Sequence, residues 1–160
     1  MSVNVLDVLK NLEGTDYQIG GQLHTLDGGK AYKYINGTGT TSVKGSVVKL
    51  DVFDDTVILN PADDPMPMGV VYEPGVADGQ EMWVVTEGDA FVLLEDGTGA
   101  TAGNWAKVSD SVSGRADVSL TAPAGGTIAA IEDHFTEMGH CERSASSGTD
   151  VLCKIHLHWN

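Results

Sequence analysis

At 160 residues, with 23 acidic and 9 basic side chains, the chain carries a formal charge of −14. That balance, with the few basic residues scattered, argues against nucleic acid, because binding a phosphate backbone requires clustered Lys and Arg, and no apolar run approaches the roughly 18 residues of a membrane span. A hydrophobic content of 41% is ordinary for a globular protein, and one domain is the simplest partition of this length.

The N-terminus, Met1 to Asp7, has neither a basic region nor a long apolar stretch and does not read as a secretory signal, so the expected place of synthesis is the cytosol. Residues 2–13 hold the one good helical pattern. Val5, Leu6, Leu9 and Leu12 recur at three- to four-residue spacing, and Gly14 is placed to stop the helix. So short a helix is marginal alone and must dock its apolar face on something. Residues 14–40 are rich in Gly, Thr and Asp around an extended patch, Ala31 to Ile35. Residues 1–42 therefore read as an N-terminal arm and a first strand.

From 43 to 160 the pattern is almost wholly β. Candidate strands are 46–53, 56–60, 68–73, 81–86, 89–95, 105–109, 116–120, 127–133, 137–143 and 150–159. Turn signals at Asp54-Asp55, Asp78-Gly79, Glu87-Gly88, Asp96-Gly97, Ser113-Gly114, Gly125-Gly126 and Gly148 separate them. The segment Pro61 to Pro67 is the clearest loop, because proline cannot donate to a strand ladder. One phrase recurs: Met68-Gly69 leads through a turn at Gly79 into a strand, and Met138-Gly139 leads through Gly148 into another. Each copy reads as a β-hairpin. In the last strand Val151, Cys153, Ile155, Leu157 and Trp159 alternate with Leu152, Lys154, His156, His158 and Asn160, which sends one face to a core or a partner and the other mostly to water. The spacing predicts a mainly β chain, a single antiparallel β-barrel or β-sandwich domain with a short helical N-terminal arm.

Candidate chemistry is sparse. His134, His140, Cys141, Cys153, His156 and His158 crowd the C-terminal third, the residue types of a zinc site. Strand geometry sends Cys153 and His156 to opposite faces, however, and leaves only His156 and His158 together. No C-x2-C or H-x3-H spacing occurs, so the expectation is no metal and no cofactor. A turn near Ser147 would set Cys141 opposite Cys153, within adjustment of disulfide geometry, while a cytosolic origin favours two packed free thiols. No nucleophile elbow, phosphate-binding glycine loop or calcium loop is present, so no catalytic residue is assigned. Trp83, Trp105 and Trp159 read either as a sugar platform or as core and interface residues.

The order of phrases over 45–159 carries more information than any phrase alone. It runs Gly45-Ser46-Val47-Val48, Met66-Pro67-Met68-Gly69-Val70-Val71, Asp78-Gly79, Trp83-Val84-Val85-Thr86-Glu87-Gly88, Gly103-Asn104-Trp105, Ser113-Gly114-Arg115-Ala116 and Met138-Gly139. This order resembles the capsid decoration, or cement, proteins of tailed bacteriophages. Their pattern is a G-x-V-V strand, a P-x-G-V strand, a G-x-x-V-x-V-x-x-G hairpin, a G-D-x-V strand, a G-R-A turn and a closing hairpin. Asn104 stands where an Asp is usual, and the first 40 residues are the least covered. The resemblance implies a β-barrel-like domain on the virion exterior, bound to the major capsid protein and commonly trimeric, with no catalytic or cofactor residues. Val5, Leu6, Leu9 and Leu12 are then candidate contacts to a neighbouring subunit or the shell. Two other readings use different residues: a phage surface or tail domain that binds host glycans through the tryptophans, and a small metal-dependent enzyme built on His134, His140, His156 or His158.

Overall fold

The computed structural model describes residues 17–19, 21–52, 55–120 and 135–159. The expected helix at 2–13 with Val5, Leu6, Leu9 and Leu12, the expected strand at 127–133, and His134 lie outside the described residues. Within them the chain is mainly β. In chain order the strands are β1 (Tyr17–Ile19), β2 (Gln22–His24), β3 (Gly29–Asn36), β4 (Val47–Leu50), β5 (Thr56–Leu59), β6 (Gly69–Val71), β7 (Glu81–Leu93), β8 (Trp105–Val108), β9 (Ala116–Ser119), β10 (Glu137–Cys141) and β11 (Leu152–Leu157). They join in one sheet of order β1-β2-β3-β5-β4-β6-β7-β11-β10-β8-β9, with a further pairing of β3 to β7.

That further pairing gives the sheet its organisation. Pairing passes from β3 to β5, β4, β6 and β7, and then back to β3. A second circuit leaves β7 through β11, β10, β8 and β9, and returns by a bridge between Leu94 and Ala116. Strand β7 belongs to both. Its first half pairs with β3 and its second half with β11, and Gly88 stands opposite Gly29 in one ladder and Leu157 in the other.

The sequence predicts a turn at Glu87-Gly88 and two strands; the structure has one strand of 13 residues. Gly88 takes a φ of 80°, and a Cβ there would lie 2.6 Å from the Gly28 carbonyl oxygen. The glycine therefore serves a close crossing of two backbones rather than a reversal of the chain. Beside it the β3–β7 ladder shifts register: Lys30 faces Glu87 and Ala31 faces Val85, so Thr86 is the extra residue of a bulge. The arrangement also departs from a purely antiparallel expectation, because β3 and β5 pair in parallel, Ile35 with Thr56 and Asn36 with Val57.

Two cores follow from this sharing. Val48, Val57, Val71, Met82 and Val84 form one cluster, with Tyr34 packed against it, so every strand of the first circuit contributes. The larger cluster takes Val47, Val70 and Val85 from the opposite face, and adds Val92, Val108, Met138 and Ile155 from around the second circuit. Each Val-Val pair at 47–48, 70–71 and 84–85 thus sends one side chain to each core. Strands buried on both faces read as continuous apolar runs, not as alternation. Each fully buried valine contributes about 1.5–3 kcal/mol relative to exposure.

Both copies of the Met-Gly phrase begin hairpins, as expected: β6 pairs antiparallel with β7, and β10 with β11. Gly139 has a φ of 149°, and a Cβ there would overlap the His156 carbonyl oxygen, so this position excludes any side chain.

Candidate functional site

An apolar groove of about 390 Å³ opens between the end of β4, the proline loop and the start of β10, lined in part by Leu50, Pro65, Met66, Phe135, Glu137 and Trp159. Leu50, Met66 and Phe135 are 47%, 70% and 55% exposed. The proline loop keeps its shape through buried Asn60, whose Nδ2 donates to the carbonyls of Pro61 at 2.9 Å and Asp64 at 3.1 Å. Asp64 accepts from the Met66 N–H at 3.0 Å and from Lys49 Nζ at 2.6 Å. The hydrogen bond from Lys49, helped by that from Met66, holds the Asp64 carboxyl below its ordinary pKa. A loop tied down in this way presents Met66 outward on a fixed base.

Beside Glu137 lies a histidine pair. His158 Nε2 is 2.8 Å from His140 Nδ1 and 3.4 Å from Glu137 Oε1. The Trp105 ring lies against His140 at a centroid distance of 4.1 Å. Glu137 and His140 are three apart, a spacing that sends regular strand side chains to opposite faces. Here the β8–β10 ladder shifts between Glu137 and Gly139, and the bulged Met138 brings both to the same face. His158 follows the last ladder residue, Leu157, and its N–H donates to the Met138 carbonyl at 2.9 Å. Burial, together with neighbouring histidines, lowers the pKa of His158 against the opposing pull of Glu137.

His156 does not join His158, although strand alternation places them on one face. Its Nδ1 lies 2.6 Å from Asp89 Oδ1. Lys154 Nζ fills the same cluster, 2.9 Å from Asp89 Oδ2 and 3.6 Å from Glu142 Oε2. Burial works to raise the Asp89 pKa, but hydrogen bonds from His156 and Lys154 outweigh it and leave the carboxyl below its ordinary value.

The two thiols are free and buried. Cys141 faces Ile155 and Cys153 faces Val92, so the thiols meet on a diagonal and not directly across the hairpin. The connection from β10 to β11 is no tight turn at Ser147. Ala145 leaves it to pair with Ala100 through two 2.9 Å hydrogen bonds, which lengthens the loop and moves the register. A hydrogen bond with Cys153, then burial, push the Cys141 thiol well above its ordinary pKa.

The tryptophans have separate surroundings. Trp159 lines the apolar groove, Trp83 lines a second concavity with Lys44 and Tyr72, and Trp105 packs on His140. Among the described residues no helix is long and apolar enough to cross a membrane. No protein-family profile matches the chain, and no curated protein matches it.

Proposed function

We propose that the chain is a virion structural protein, a decoration protein that binds the outside of an icosahedral phage head through the major capsid protein and reinforces the shell. The observation that carries this reading is the order of phrases over 45–159. The Val-Val phrases fall on β4, β6 and β7, the Gly-Asn-Trp phrase leads into β8, Gly-Arg-Ala leads into β9, and the second Met-Gly phrase falls in β10. On this reading the two pairing circuits are a β-barrel-like body, closed on β7, and the N-terminal residues are an arm that links neighbours.

Two physical features support it. A surface of charge −14 suits a soluble exterior subunit, and the groove beside Met66 offers apolar contact area where charge attraction to an acidic shell is unavailable. The resemblance implies a homotrimer, and linking several modest contacts in one oligomer raises avidity through effective concentration. Electron microscopy of empty expanded heads of the cognate phage, mixed with purified protein, tests the reading. Regular added density on the outer surface is expected, and bare heads at saturating protein would overturn it.

A further inference from the structure

We propose that Glu137, His140 and His158 form a binding site for a divalent first-row transition-metal ion of the zinc type, which ties the segment after β11 to the bulge of β10. The donor atoms lie within 4.8 Å of one another. Zn–N distances of about 2.0–2.1 Å in a tetrahedron put neighbouring ligand atoms about 3.3 Å apart. Glu137 Oε1 and His158 Nε2 already stand at 3.4 Å. The two imidazole nitrogens, at 2.8 Å, share a proton and must open by about half an ångström to admit the ion. The His158 backbone is held by its N–H bond to Met138, so the adjustment falls to its partly exposed side chain. The shared proton leaves to solvent as the ion enters.

The donor set selects the ion. Two imidazoles and one carboxylate suit zinc, cobalt, nickel or copper, whereas calcium and magnesium take oxygen donors. Three protein ligands leave a fourth position to water. Glu137 also lines the apolar groove, which supplies the access route, and Trp105 walls His140 from the other side. In the β8–β10 ladder Lys107 stands opposite Glu137 and pairs with Asp110 at 2.7 Å. The neighbouring cluster of Asp89, Glu142 and His156 is a poor competitor, because Lys154 already serves as its cation.

The test uses tag-free, chelator-treated protein titrated with zinc by calorimetry and with cobalt by visible absorption. Expected are one saturable site, tetrahedral cobalt bands, and a Tm rise of about 5–10 °C at a hundredfold zinc excess over Kd. His140→Ala and His158→Ala should each weaken zinc at least about 100-fold, since even outer-shell losses cost 10–100-fold. His156→Ala should bind as the parent does. If His140→Ala does not fold, His158→Ala decides, because its side chain is 37% exposed. Absence of saturable zinc binding to the parent protein overturns the proposal, as does a loss caused by His156→Ala and not by His158→Ala.

Discussion

The indole N–H of Trp159 donates to the carbonyl oxygen of Thr86 across 2.6 Å. Thr86 is the extra residue of the bulge in β7, next to the point where that strand changes partners. A bulge leaves its extra residue outside the ladder, so a side chain from the end of the chain supplies a donor where the sheet supplies none. Trp159→Phe keeps most of the ring and removes the donor. It should lower unfolding stability by about 1 kcal/mol, the lower end of the cost of an unsatisfied acceptor, since both residues are only partly buried. Urea unfolding measures this, and an unchanged midpoint would show that the bond contributes nothing.

The Lys49–Asp64 pair makes the proline loop acid-sensitive. The folded pKa of Asp64 is lowered, so its contribution is present above the unfolded pKa near 3.8 and is lost as pH falls through the folded value. Asp64→Asn should therefore be less stable than the parent at pH 7, by about 1 kcal/mol, and the gap should close as pH drops below the unfolded pKa. Melting temperatures of both proteins across the acid range test the sign. A gap that widened toward low pH would contradict it.

Cys141 and Cys153 are free and only 2% and 1% exposed. The native protein should react slowly with thiol reagents and melt at the same temperature with and without reductant. Cys153→Ala should cost about 1–3 kcal/mol through lost packing. A Tm that reductant lowers would establish a stabilising disulfide instead.

Sequence and structure agree where one physical cause governs the pattern. Alternation in 151–157 reads directly as Cys153, Ile155 and Leu157 inward, and the Val-Val pairs mark the strands shared between two cores. They part where a local irregularity resets the pattern. Gly88 looks like a turn signal but serves a backbone crossing inside β7. Spacing separates Glu137 from His140, yet the Met138 bulge reunites them, and pairing with His158 depends on where β11 ends. The offset of the thiols depends on the Ala145–Ala100 bridge, a long-range contact without a local signal. The weakly patterned stretch 14–40 still yields β2 and β3, because β7 offers β3 a partner along its length.

The proposed attachment to a phage head is decided by co-sedimentation with empty expanded heads of the cognate phage, using full-length protein and a variant lacking residues 2–13. The full-length protein should pellet with heads, saturate at a stoichiometry of threes, and remain bound in about 0.5 M salt, where the Debye length has fallen below its physiological value of roughly 8 Å. On the proposed reading, in which the arm links neighbours, the truncated protein should keep its fold and bind more weakly. Release of the full-length protein at that salt would show that charge attraction, not apolar contact, holds it. No binding at any salt would contradict the decoration reading itself.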